Sequence, residues 1–230
     1  KFKNVFDSLE KILPLIEDLG IYNFYPHRME ADDAISWLSE IVEGEKIIIT
    51  TDKDMLQLIS EDISVYNTNT KSIINLQNFE EVTDIDNPKN YLMFRCFTGD
   101  KSDNIPGIPK VGIKTYLKLT KDWDYNLDNV NINKDQRAIV ERNKRLMDLK
   151  YGFNYYEEET ITYRAQYYNN QNKTEPNYDS FTTKCEEEGL KSICENIQQW
   201  KHTFSPKKNN ILNIINNIKE RYCKDEHQST

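Results

Sequence analysis

The chain has 230 residues, a formal net charge of −8, 30% charged residues and 37% hydrophobic residues. That length allows one domain with a sizeable core, or one domain plus a small helical addition. The acidic balance excludes a protein that coats nucleic acid through overall basicity, but it leaves room for a local basic track. Mean hydropathy is −0.79, no apolar run approaches the ~20 residues of a membrane span, and no signal-peptide pattern is present. Cys96, Cys185, Cys194 and Cys223 form no CxxC pair and no zinc spacing, so reduced thiols in a cytoplasmic setting are expected.

Residues 5–19 predict a helix with Val5, Leu9, Ile12 or Leu13, and Ile16 on one side. Pro14 should kink or divide it, and Gly20 should stop it. Residues 21–25 read as a short strand ended by Pro26. A helix then follows Glu30, with Ala31, Ile35, Leu38 and Val42 as its buried stripe. Glu30, Asp32 and Asp33 lie in or just before its first turn. They read either as acids favoured by the helix dipole or as ligands.

The run Lys46-Ile47-Ile48-Ile49-Thr50-Thr51 fits a parallel strand buried on both faces. Asp52 and Asp54 stand at its carboxyl end, where ligand sites collect in open α/β sheets. The alternative is a helix cap with an exposed acid, since a short helix over residues 55–58 comes next. Residues 63–67 and 72–76 predict two strands around an Asn-Thr-Asn-Thr-Lys turn, and Asn87-Pro88 opens a helix reaching Cys96.

The stretch Gly99-Asp100-Lys101-Ser102-Asp103-Asn104 places two carboxylates three residues apart. Ile105-Pro106-Gly107-Ile108-Pro109-Lys110-Val111-Gly112 is a tight turn, because both prolines exclude the preceding residues from helix. The next helix should carry Ile113, Tyr116, Leu117 and Thr120 on one face. Lys110, Lys114, Lys118 and Lys121 lie on its flank with no acid between the first and last of them. Lysines beside backbone N–H groups at a helix start suit a phosphate backbone.

Beyond it, residues 134–150 read as a charged helix. Its Arg137, Arg142, Lys144, Arg145 and Lys150 form either a solvated face or nucleic-acid contacts. Residues 151–178 are polar, rich in Tyr and Asn, and expected to be irregular. Residues 181–204 predict two short helices broken at Gly189. Residues 209–223 predict an amphipathic helix with Ile211, Ile214, Ile215 and Ile218, ahead of a disordered tail.

Taken singly the acids are weak signals; in order they form three groups. Glu30, Asp32 and Asp33 come first, Asp52 and Asp54 second, and Asp100 and Asp103 third. Brought to one sheet edge, such like charges raise each other's pKa or require metal. All-oxygen ligation suits Mg²⁺ or Mn²⁺. Two ions about 4 Å apart would make a two-metal site for phosphodiester hydrolysis, with no protein nucleophile needed.

The segment GDKSDNIPGIPKVGIKT resembles the helix-3-turn-helix signature of the 5′→3′ exonuclease and flap endonuclease family. The order EADD, TTDKDMLQL, GDKSDNIPG is similar to that family's metal-ligand order over residues 21–119, and residues 178–204 are similar to the end of its T-even phage RNase H branch. The resemblance implies an α/β fold with a twisted, mostly parallel sheet of the PIN/5′-nuclease type. Residues 1–98 would be the C-terminal part of the nuclease core, and residues 99–230 the helix-3-turn-helix and a helical region.

It further implies Glu30, Asp32 and Asp33 as first-metal ligands or their water-mediated support, Asp52 near both ions, and Asp54, Asp100 and Asp103 as second-metal ligands. Two Mg²⁺ ions, with Mn²⁺ as substitute, and K⁺ at the turn would be the cofactors. Lys101, Gly107, Lys110, Val111, Gly112, Lys114, Thr115 and Lys118 would touch DNA. The family's early Asp-bearing strand and arch are not found in these residues, so the chain is expected to be the part downstream of the arch.

The function implied is a structure-specific, Mg²⁺-dependent 5′-nuclease that removes RNA primers or 5′ flaps in DNA replication. It would be a phage-type monomer in the host cytoplasm, with single-stranded-DNA-binding protein and a sliding clamp as partners. The alternative is a non-catalytic DNA-binding or replication-interaction module, which would have no reason to keep seven acids. A phosphoryl-transfer enzyme with a nucleophilic Asp fits worse, because Leu56 stands where such sites want Thr or Val.

Overall fold

The structure is a computed structural model that describes residues 2–24, 29–151 and 175–205, with side chains from residue 7 onward. Its elements in order are α1 (Phe2–Asp18), α2 (Ala31–Ile41), β1 (Lys46–Thr50), a 3₁₀ turn (Lys53–Leu58), β2 (Ile63–Asn67) and β3 (Ser72–Ile74). Then come α3 (Phe79–Thr83), α4 (Pro88–Thr98), β4 (Gly99–Asp100), β5 (Ile105–Pro106), α5 (Ile113–Leu119), a second 3₁₀ turn (Leu127–Asn129) and α6 (Lys134–Met147). The last are α7 (Tyr178–Glu187), α8 (Lys191–Glu195) and α9 (Ile197–Thr203). Residues 29–151 form one compact unit, and residues 2–24 with 175–205 form another.

The larger unit is an α/β fold on a mixed three-stranded sheet of order β1-β2-β3. β1 runs parallel to β2, with Lys46 opposite Ile63 and Thr50 opposite Asn67, and β3 is antiparallel to β2. The Asn67 side chain accepts the Asn69 and Thr70 N–H groups and closes the hairpin between β2 and β3. β3 stops at Ile74 rather than running to residue 76. Asn75 and Asn78 exchange side-chain bonds with each other's backbone N–H and bend the chain there.

Two expectations about burial are corrected. Residues 46–51 are not buried on both faces: Ile48 is buried, but Ile49 is 69% exposed. Among the described strands β1 has a neighbour on one side only, and Ile47 and Ile49 border a shallow apolar groove with Ile35, Leu38 and Val42. In α2 the buried residues are Ala34, Ser36, Trp37 and Ser39, not the stripe of Ala31, Ile35, Leu38 and Val42. The helix turns about 100°, one residue's worth, because Trp37 has the most apolar surface to hide.

α4 is the spine of this unit. Asn87 caps it by accepting the Asn90 N–H, and Tyr91, Met93, Cys96 and Phe97 are buried. α6, opened by a reciprocal Asn133–Gln136 capping box, packs against it through Val140, Asn143 and Met147. Tyr116 of α5 is fully buried between the Phe94 and Phe97 rings, 5.4 and 5.2 Å away, and its hydroxyl donates to the Asn90 carbonyl at 3.0 Å. Anchoring α5 on Tyr116 rotates Leu117 outward to 43% exposure, against the expected face.

In the smaller unit α1 runs unbroken through Pro14. Leu15, Leu19, Phe181 and Cys185 make its core. Residues 21–24 do not form the expected strand. The Ile21 N–H bonds the Ile16 carbonyl and the Asn23 side chain bonds the Leu13 carbonyl, so this backbone folds onto α1 instead of a ladder. Gly189, at φ 67°, ends α7 as expected, but a second break at Asn196 makes three helices of residues 178–203 rather than two. Residue 25, most of residues 151–178, and the expected helix and tail after residue 209 lie outside the described residues.

Candidate functional site

The site is assembled by two chain reversals. At the carboxyl end of β1, Asp52 caps the first 3₁₀ turn: its Oδ1 accepts the Asp54 N–H at 2.8 Å. This aims Asp54 inward, leaving its side chain 18% exposed, while Asp52 itself stays exposed. The second reversal is the end of α4, where Gly99 takes φ 72° and enters the β4–β5 hairpin. Asp100 is held by the Ser102 N–H at 2.7 Å, by the Ser102 hydroxyl and by the Arg95 guanidinium. Carboxylate oxygens of Asp54, Asp100 and Asp103 then lie within 4.8 Å of one another. Oxygens on opposite sides of a Mg²⁺ ion sit roughly 4.2 Å apart, so these three acids fit a divalent ion.

The remaining acids face this group electrostatically. Burial raises the Asp32 pKa, and Asp52, Asp54, Glu30 and Asp33 push it further up. Burial also raises Asp54, with Asp52 and Asp100 adding to the shift and Arg95 opposing it. Asp100 is lowered, first by the Ser102 hydroxyl bond, and Arg95 adds to the effect. Glu30, Asp32, Asp33, Asp52, Asp54 and Asp100 therefore share one field, while close ligand geometry is confined to Asp54, Asp100 and Asp103.

A set of exposed lysines follows the acids in the chain. Lys101, Lys110, Lys114, Thr115, Lys118 and Gly112 are all exposed, whereas Val111 packs against the core. Gly107 has a different use: a Cβ there would stand 2.1 Å from the Thr98 carbonyl carbon and 2.2 Å from its oxygen. A Cβ on Gly99 would meet the Ile105 carbonyl oxygen at 2.3 Å. The two glycines let the hairpin backbone close on itself. On α6, Arg137 is tied to Asp128 and the Leu127 carbonyl, and Arg142 donates to the Pro106 carbonyl at 2.8 Å. Lys150 pairs with Glu40, and Lys144 and Arg145 are exposed.

Three residues at the site had no assigned role in the sequence. Arg95 donates to Asp54 at 2.7 Å and to Asp100. Ser102 fixes Asp100. Asn143, fully buried, donates to the Cys96 and Pro106 carbonyls at 2.8 and 3.1 Å and so ties α6 to the hairpin. The available signals were a charged residue inside the apolar α4 pattern and an Asn in the middle of a charged helix.

Residues 3–84 match the family model of the 5′-3′ exonuclease N-terminal, resolvase-like domain. The chain is 38% identical over 137 residues to a 5′-3′ exonuclease of Buchnera aphidicola (subsp. Schizaphis graminum), covering 57% of this chain and 47% of that protein. It is 34% identical over 141 residues to a thermostable DNA polymerase I of Thermus filiformis, covering 57% of this chain and 17% of that one. The T5 D15 protein co-crystallised with metal ions superposes with a TM-score of 0.48 at 18% identity, covering 74% of this chain and 60% of that one. The chain spans about half the length of the curated exonucleases it matches. An α/β sheet carrying an acidic cluster that fits a divalent ion is the class that fold and site define, and within it residues 3–84 are similar to the N-terminal domain of 5′-3′ exonucleases.

Proposed function

We propose that this chain is the catalytic and duplex-holding part of a divalent-metal-dependent, structure-specific 5′-nuclease acting on DNA flaps and RNA·DNA hybrids in replication. One observation carries the reading: Asp54 from the first 3₁₀ turn and Asp100 and Asp103 from the hairpin meet in one ligand-sized cluster, and exposed lysines follow that hairpin in the chain. Similarity to DNA polymerase I proteins supports the replication setting. Divalent ions bound there, two of them in this reading, supply Lewis-acid charge for phosphodiester hydrolysis.

The protein's own groups do the positioning. Asp54, Asp100 and Asp103 would hold a divalent ion, and Glu30, Asp32, Asp33 and Asp52 would add negative charge or further ligands to it. Ser102 keeps Asp100 ionised and oriented. Lys110, Lys114 and Lys118 would hold duplex phosphates, and the carbonyls of residues 107–112 would be the ligands for a K⁺ ion.

The test is cleavage of a 5′-labelled flap and an RNA·DNA hybrid, with Mg²⁺ and with EDTA. It is run with the 230-residue chain, any longer product of its gene, and Asp100→Asn. Mg²⁺-dependent cleavage that Asp100→Asn abolishes while DNA stays bound is the expected result. DNA binding with no metal-dependent cleavage by either length would point instead to a binding module.

A further inference from the structure

Arg95 is a buried cation among metal ligands. Its side chain is 17% exposed, and its Nη2 donates to both Asp54 and Asp100. Among the described residues its Nε is buried without a partner, so the side chain is placed for those two carboxylates at the expense of its own hydrogen bonding. Burial works against its charge, but Asp54, Tyr91 and Asp100 outweigh that and raise its pKa. A guanidinium does not deprotonate in proteins, so it cannot leave these acids by losing a proton.

Resting on the metal-centre reading above, we infer that Arg95 is the resident counter-ion of the metal-free site. It holds Asp54 and Asp100 together before metal arrives, and a divalent ion competes with it for the same oxygens. One positive charge against three carboxylates leaves a net deficit that a divalent ion neutralises, and a single Nη2 spans two of the three acids much as the ion would. Arg95 is thus a positioning residue that sets metal affinity: it stabilises the empty site and weakens binding to it. Without it the acids repel in the empty protein, yet the ion meets a more negative, uncontested site.

The experiment is calorimetric Mn²⁺ titration and thermal melting of metal-free wild type, Arg95→Gln, Arg95→Lys and Asp100→Asn. Arg95→Gln should melt lower without metal but bind Mn²⁺ about tenfold or more tightly, with a larger metal-induced rise in Tm. Arg95→Lys, which keeps a cation, should stay near wild type in affinity. A purely structural Arg95 would lower stability and affinity together, and that result overturns the inference. Wild type that binds no Mn²⁺ in an Asp100-dependent way overturns the metal-centre reading as well. Should Arg95→Gln not fold, ¹⁵N signals of the wild-type Arg95 side chain during Mg²⁺ titration decide the matter. They should move with the binding midpoint, and an unmoved signal refutes competition.

Discussion

Gly107→Ala tests whether the hairpin that carries Asp100 and Asp103 depends on backbone interlocking. The new Cβ would lie 2.1 Å from the Thr98 carbonyl carbon, 2.2 Å from its oxygen and 2.6 Å from the Gly99 nitrogen. Carbon contacts settle near 3.5 Å, so the strands must part by about 1.4 Å. All three obstacles are backbone and cannot rotate away. Parting them breaks the Ile108 N–H bond to the Phe97 carbonyl, now 2.7 Å, and the Gly99–Pro106 pairing. Overpacking plus these losses should cost about 3–5 kcal/mol and draw Asp100 and Asp103 away from Asp54.

Urea denaturation reads the stability, and Mn²⁺ titration reads the site. Gly112→Ala is the matched control: nothing among the described residues lies within 4 Å of its Cβ position, and its φ of −120° suits any residue. It should change stability by less than about 0.5 kcal/mol. Gly107→Ala that unfolds and binds Mn²⁺ like wild type would refute the reasoning.

Other outcomes follow from single contacts. Asn143→Ala removes two donated hydrogen bonds and strands the buried Cys96 carbonyl, while the Pro106 carbonyl keeps Arg142, costing roughly 1–3 kcal/mol in urea melts. Asp32 has a raised pKa in the folded protein, so its stabilising contribution is full below the ordinary value of 3.8 and is lost as pH rises through the folded pKa. Asp32→Asn should therefore stabilise metal-free protein at neutral pH and lose that advantage below 3.8, read by melting in EDTA across the range. The double change Lys114→Ala, Lys118→Ala should lower the slope of log affinity against log salt by about 1.8, at roughly 0.9 per phosphate contact. Because both lysines are exposed, the melting temperature should not change.

Local chemistry made much of this protein legible from its residues alone. The β-run of residues 46–50, the Asn-rich hairpin turn, Asn87-Pro88 at the start of α4 and Gly189 at the end of α7 depend on neighbours a few positions away, and each sits where periodicity and turn chemistry put it. The order of the acid groups and the lysine spacing on α5 were equally readable. What depends on distant partners was not. Only packing decided that α2 turns on Trp37, that α5 turns on Tyr116 and exposes Leu117, and that residues 21–24 bond back to α1. The same holds for the site: seven acids are visible in the chain, but which of them meet within 4.8 Å depends on how the Asp52-capped turn and the Gly99–Gly107 hairpin approach each other. Arg95 is the clearest case, because a charge in an apolar helix acquires meaning only when its partners, from a turn and a hairpin far apart in sequence, close around it.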